Sequence, residues 1–236
     1  MAAILGTKNY SVSVPGLTSM FDMSDPNCYP GTGTTIYDLT GNNYTGTLVN
    51  GVTFSGGSFG FNGTNQYIDF ANTATAFSFA NTTFTVSVWF KQSTLSNGAL
   101  ISKAATTGGW SIWALSDGTI VSFMKNGSSV DNYDRYTSAV ITPNKWVNIV
   151  AIFTTSTTVA GNNSVTHYVN GVVNTGTIVV GSGAYGSETS TNLFIGRRST
   201  SPYFNGSIGN FQVFTRGLTA TEILQSYNSI KTRFGL

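Results

Sequence analysis

Short runs in which apolar and polar residues alternate, each closed off by Gly, Asn, Asp or Pro, recur along almost the whole of this 236-residue chain. Residues 84–91, FTVSVWFK, set the pattern, with Phe84, Val86, Val88 and Phe90 on one side and Thr85, Ser87, Trp89 and Lys91 on the other. Successive side chains of a strand point to opposite faces of its sheet, so this period of two marks a strand resting on a core. Residues 146–154, WVNIVAIFT, are apolar almost throughout and read as an inner strand. Residues 99–103, 110–115 and 120–125 follow suit, the last two joined by a turn at 116–119. Asn170 and Gly171 mark a two-residue hairpin between 165–169 and 172–175, and Asn62 and Gly63 predict a similar link from 59–61 to 67–70. Further strands are expected at 4–14, 35–39 and 193–197, with residues 22–46 an ordered loop. About a dozen short strands without a fixed repeat predict an all-β sandwich or jelly roll of two antiparallel sheets.

The chain closes on a strand and a helix. Residues 208–215 alternate with aromatic or branched side chains on both sides, as in a strand buried on both faces. Directly after it, Thr219 and Glu222 have the spacing of a capping box, with Leu218 placed to staple against Ile223. A short amphipathic helix is therefore expected over 219–231, its stripe of Ile223, Leu224, Tyr227, Ile230 and Phe234 lying on the sheet behind it.

Only 8% of residues are charged, and the formal net charge of +2 comes from basic residues spread singly apart from Arg197 and Arg198. No basic stripe exists for nucleic acid. Cys28 is the lone cysteine, which excludes an intrachain disulfide. No apolar run is long enough to span a membrane, and the N-terminal residues lack a basic segment followed by a long apolar core, so no signal peptide is expected. The seven Asn-x-Ser/Thr triplets are what chance supplies in a chain this rich in those residues. A coat of hydroxyls and amides rather than charge suits a rigid particle or an extracellular component.

Taken in order, FGFNGTNQYIDF, FTVSVWFK, WVNIVAIF, HYVNGVV, LFIGRR and FNGSIGNFQVFTRGLTATEI resemble the laminin-G-like, concanavalin A-type jelly roll, in particular its pentraxin-like branch. The resemblance spans roughly residues 20–232 and implies one domain over 1–236, with 1–19 as an N-terminal strand or arm. The incoming segment 21–51 and the closing segment 223–236 resemble those of tailed-phage virion proteins. That likeness implies a non-catalytic structural protein on the particle surface, as capsid decoration or fibre, assembled in the host cytoplasm with other virion proteins and as a homo-oligomer. The alternative it leaves open is a carbohydrate-binding adhesin module for surface glycans. The superfamily often holds a structural calcium through Asp at the positions matched here by Asn62 and Asn210; a neutral amide oxygen weakens such a site, and no other cofactor is implied.

Glycoside hydrolases of this fold need two carboxylates flanking the scissile bond. The chain has two glutamates, Glu188 in a Gly/Ser loop and Glu222 in the helix cap, so hydrolysis is the least supported function. His167 alternates with Val165 and Val169, which reads as packing rather than as a base for Cys28. Asp22, Asp25 and Asp38 lack EF-hand spacing and read as turn caps. Aromatic residues remain, because sugar rings lie on aromatic faces. Trp89 and Trp146 read as core. Trp110 and Trp113 are three apart and point to opposite faces of one strand. With Tyr133, Tyr136, Tyr185 and Tyr203, expected in loops at the sandwich ends, and Arg135 and Arg197, they form the candidate ligand-binding set.

Overall fold

The computed structural model of the chain describes residues 15–71, 73, 75–105, 108–125, 131–180 and 183–236. The strand expected at 4–14 lies outside them. In chain order the strands are β1 (Leu17–Asp22), β2 (Thr35–Tyr37), β3 (Thr45–Val49), β4 (Thr53–Ser55), β5 (Ser58–Asn62), β6 (Tyr67–Phe70), β7 (Thr83–Gln92), β8 (Gly98–Ala104) and β9 (Gly109–Ala114). They continue with β10 (Ile120–Lys125), β11 (Asp131–Tyr136), β12 (Trp146–Thr154), β13 (Ser164–Val169), β14 (Val172–Asn174), β15 (Ile178–Val180), β16 (Leu193–Ile195) and β17 (Asn205–Phe214). One helix, α1 (Ala220–Ile230), follows and tightens into a 3-10 turn over Lys231–Phe234.

The strands form two antiparallel sheets, as expected. One runs β14-β13-β12-β7-β17-β5-β4, with β1 also pairing to β17; the other runs β15-β11-β10-β9-β8-β16-β6-β3-β2. One core cluster joins their inner faces. Phe84, Val86, Val88 and Phe90 of β7, Ile149 and Phe153 of β12 and Phe211 and Val213 of β17 meet Ile68 and Phe70 of β6, Ile101 of β8 and Trp110 and Ile112 of β9. Each large side chain buried there contributes about 1.5–3 kcal/mol.

Turn chemistry decides where the chain stays in a layer and where it leaves. Asn170 (φ 51°) and Gly171 (φ 80°) both adopt the left-handed conformation of a type I′ turn, so β13 and β14 pair as the expected hairpin. Asn62 and Gly63 do not make one: β5 and β6 belong to different sheets, and the loop between them crosses the sandwich. Strands β1, β3, β4, β11 and β15 are additions to the sequence reading. They are short and rich in Thr and Gly or weakly alternating; β4, exposed at all three positions, is held by a hairpin to β5 across Gly56 and Gly57, whereas β1, β3 and β15 take partners well separated in sequence. β16 stops at Ile195 rather than continuing to Arg197, because Gly196 turns to φ 82°.

The helix seals the outer face of the eight-stranded sheet. Thr219 is the N-cap: its hydroxyl accepts the Glu222 N–H at 3.3 Å while the Glu222 carboxylate accepts the Thr219 N–H at 2.8 Å. Ile223 and Leu218 bury against Val150 and Phe214. Leu224 departs from the expected stripe and is 46% exposed, since the helix presents it at the solvent edge of its contact. β17 bulges at Gly209, where its register with β7 shifts between Ile208 and Asn210. The Gly209 carbonyl accepts the Met23 N–H and an Arg233 Nη2–H. A Cβ there would stand 2.6 Å from the Phe234 ring, which stacks on Trp89 at 4.3 Å and lies 4.6 Å from Trp146. Beside it, Arg233 pairs with the buried Asp22 carboxylate at 2.6 Å. Gly209→Ala should therefore destabilise the protein by about 1–3 kcal/mol through overpacking; a urea-denaturation midpoint equal to that of the parent would show that the Phe234 contact does not need this glycine.

Candidate functional site

The outer face of the nine-stranded sheet carries aromatic rings and two consecutive arginines. Along β6, Ile68 and Phe70 enter the core, which turns Tyr67 and Asp69 outward, and Phe194 of β16 pairs with Asp69 on that face. After β16, residues 196–204 fold back, with Arg197 and Tyr203 joined in an antiparallel bridge and the Gly196 carbonyl accepting the Phe204 N–H at 2.8 Å. This return places the Arg197 guanidinium 3.7 Å over the Tyr67 ring and 4.2 Å over the Phe194 ring. The Tyr203 ring is 6.3 Å from Tyr67.

Arg198 reaches the other way. Its guanidinium lies 5.6 Å over Phe123 of β10, whose ring meets Trp113 of β9 edge-on at 5.3 Å, and Nη2 donates to the Ala105 carbonyl. The Trp113 indole donates to Ser111 Oγ at 2.6 Å, which fixes the ring plane. Two aromatic pairs thus flank β8, with the buried Ser102 between them. Tyr67, Trp113, Tyr203 and Arg197 are half-buried, whereas Phe123 and Phe194 are covered.

The structure divides the residues singled out from sequence. Arg197 and Tyr203 come together, Trp113 shares their face two strands away, and Tyr136 shares it through its pairing with Val121. Trp110 does not belong: it is fully buried in the core, its indole donating to the Phe77 carbonyl. Tyr185 is 2% exposed and its hydroxyl, pushed up by burial and then by Glu188, lies in the interior rather than in an open loop. Arg135 is paired with Ser122 on the inward side of β11 and donates to the Asn174 carbonyl across the sandwich edge. Tyr133 lies in β11, not in a loop, and its side chain is outside the described residues. Sequence reasoning missed Tyr67 and Phe194. The alternation of residues 67–70 shows that Tyr67 leaves the core, but Leu193 and Ile195 hide the outward turn of Phe194 inside an apolar run.

Both glutamates, Lys103 and Cys28 have structural surroundings. Glu222 is held at about 2 by the Arg216 guanidinium and the Thr219 backbone N–H, and it caps the helix. Burial works to raise Glu188, but hydrogen bonds from Ser190 and Thr191 and the Lys103 charge outweigh it and hold the carboxyl below its ordinary value. Lys103 is lowered to about 8 by burial, partly offset by Glu188, and its ammonium donates to the Glu188 and Thr191 carbonyls. Burial lifts the Cys28 thiol to about 12. Cys28 precedes β2, which lies at the far edge of the nine-stranded sheet from β10, where Ser122 meets the buried His167 Nε2 at 2.7 Å.

Asn62 and Asn210 do not fit a shared calcium site. Asn62 Oδ1 accepts the backbone N–H groups of Thr64, Asn65 and Gln66, capping its turn. Asn62 pairs with Asn205 at the start of β17, whereas Asn210 is in the middle of that strand, 1% exposed and in register with Asp22. Asp25 and Asp38 cap turns through Asn27 and Thr40. Among the described residues no group of three or more His, Cys, Asp or Glu is placed to hold a metal ion. A polar groove of about 490 Å³, lined by Asn81, Thr83, Thr154, Ser156 and Asn162, lies at one end of the eight-stranded sheet. The hydroxyls of Thr83 and Thr154 bond each other, Thr155 and Ser156 bond backbone groups, and no aromatic ring lines the groove.

Residues 62–224 match the family model of the concanavalin A-like lectin/glucanases superfamily. The chain belongs to that superfamily. Solved structures of similar fold include the binding domain of botulinum neurotoxin DC in complex with rat synaptotagmin II, at TM-score 0.66 and 17% identity over 91% of this chain and 52% of that one. The botulinum neurotoxin type G receptor-binding domain matches at 0.64 and 15% over 90% and 51%. The botulinum neurotoxin DC binding domain in complex with SialylT matches at 0.64 and 16% over 91% and 51%. This superfamily member therefore spans about half the length of those binding domains, and at these identities the likeness is one of fold. No curated protein sequence matches the chain. No helix among the described residues is long and apolar enough to cross a membrane.

The buried histidine yields a pH prediction. Burial, and then the Arg135 charge, lower His167 to about 3, so the unfolded chain takes up a proton near the ordinary value of about 6.5 while the folded one does not. Its contribution to stability is complete above pH 6.5 and is lost progressively as pH falls toward 3. Because His167 is the sole histidine, denaturation between pH 7 and 5 should show a loss of about 2 kcal/mol, reduced in His167→Gln; a flat profile across that range would contradict the buried neutral imidazole.

Proposed function

We propose that this chain is a non-catalytic carbohydrate-binding module that takes saccharide on the outer face of the nine-stranded sheet. The observation that carries the reading is the set of half-buried rings Tyr67, Tyr203 and Trp113, held on one face by strands and a closed return loop. Sugar rings have apolar C–H faces that lie on aromatic rings, and their hydroxyls bond the polar groups around them. Membership of a lectin-containing superfamily supports this, as does a fold shared with domains described as receptor-binding or in complex with SialylT. The absence of hydrolysis is supported by the commitment of Glu188 and Glu222 to a loop and a helix cap. A glycan array followed by calorimetry should find at least one binder of about millimolar affinity or better, weakened about tenfold by Tyr67→Ala or Trp113→Ala through lost stacking. An array without a binder would overturn the reading.

We further propose that the module is displayed on the surface of a tailed-phage particle, as a decoration or fibre component in symmetric homo-oligomers. Supporting this are the resemblance of segments 21–51 and 223–236 to virion proteins and a coat with only 8% charged residues. Mass spectrometry of purified particles should detect the chain, and light scattering should return a small multiple of 25.0 kDa. Absence from the particle would refute the location, and a monomer mass would refute the oligomer.

A further inference from the structure

On this face Arg197 is a cation whose hydrogen-bonding capacity is unspent among the described residues. Its guanidinium lies over Tyr67 at 3.7 Å and over Phe194 at 4.2 Å. Those two rings are 6.0 Å apart and inclined at 76°, so the ion is seated in the corner between them, and contact with a ring leaves N–H groups able to bond an anion. Among the described residues it has neither a hydrogen-bond nor an ion-pair partner, and Nε is buried against the protein. The two terminal amino groups are thus the edge that faces solvent. Asp69, a carboxylate on the same face, accepts from Asn192 Nδ2 at 2.9 Å and makes no ion pair with Arg197. Arg198 differs, since its Nη2 is taken by the Ala105 carbonyl.

A guanidinium seated against aromatic rings, whose two terminal amino groups have no protein partner among the described residues, matches the two oxygens of a carboxylate. The Tyr203 ring, 6.3 Å from Tyr67 and inclined at 46° to it, adds apolar surface next to the ring that carries the guanidinium. We infer that the site recognises acidic saccharides, with a uronate-type carboxylate paired end-on to the Arg197 terminal nitrogens while the sugar ring lies against the tyrosines. This inference rests on the saccharide reading above and names the class of sugar.

D-glucuronate and D-glucose differ at one carbon and serve as the probes, with D-glucose 6-sulfate as a third arm, each titrated by ligand-observed NMR against the full chain. Glucuronate should bind about tenfold more tightly than glucose, the scale of a charge-assisted bidentate contact at a partly exposed site. That preference should shrink as sodium chloride rises from 0.05 to 0.5 M. In Arg197→Gln the ratio should fall to about one, and Arg197→Lys should keep part of it, because charge remains while the flat fork is lost. Equal binding of glucuronate and glucose by the parent overturns the inference and leaves the saccharide reading standing. An unchanged ratio in Arg197→Gln with native circular dichroism, or a salt-insensitive ratio in the parent, also overturns it. A preference for the sulfate ester overturns the carboxylate assignment, and no binding of any probe or array glycan overturns both readings.

Discussion

The sandwich depends on the pairing of β17. That strand lies near the C-terminal end of the chain yet at the middle of its sheet, bonded along one edge to β7 and along the other to β5 and β1. The eight-stranded layer is therefore completed only when the last strand inserts between partners from the first half of the chain, a strongly non-local closure whose loop entropy must be met by burial. Both faces of β17 supply that burial. Ile208, Phe211 and Val213 enter the shared core, and the opposite face is covered by the helix that begins a few residues later. The bulge at Gly209 joins these tasks, since it turns a carbonyl toward Arg233 and leaves room for Phe234.

The two outer faces of the sandwich have different covers. On the eight-stranded sheet, α1 and the turn after it bury Trp89 with Tyr227 and Phe234 and lock the end of the chain to β1 through Arg233 and Asp22. A buried pair of that kind stabilises less than its distance suggests, because desolvation opposes the attraction, but breaking it would leave Asp22 uncompensated. On the nine-stranded sheet the cover is a loop whose two arginines lie over aromatic rings. Aromatic surface and cationic donors are then left partly open in one place, as a polar ligand with an apolar face requires.

Much of the fold was legible in sequence. The alternation of residues 84–91, the apolar run at 146–154, the hairpin at Asn170 and Gly171 and the capping box at Thr219 and Glu222 all appear as expected. Each depends on interactions within a few residues, which the local pattern records directly. Asn62 and Gly63 show the limit, because the same dipeptide serves a hairpin or a crossover according to which strands lie beside it. The site was legible only in part. Trp113, Arg197 and Tyr203 were identifiable as candidates, but Trp110, Tyr185 and Arg135 carry the same chemistry and point inward, while Tyr67 and Phe194 resembled ordinary strand residues.

The sequence by itself determined the all-β character, the closing helix with its cap, and the poverty of free carboxylates for hydrolysis, because propensity, turn geometry and composition act over short range. Only the tertiary structure decided that Arg197 lies over Tyr67, more than a hundred residues away in the chain. Which face of a strand meets water depends on sheet order and on the path of the covering loop, and those follow from contacts distant in sequence.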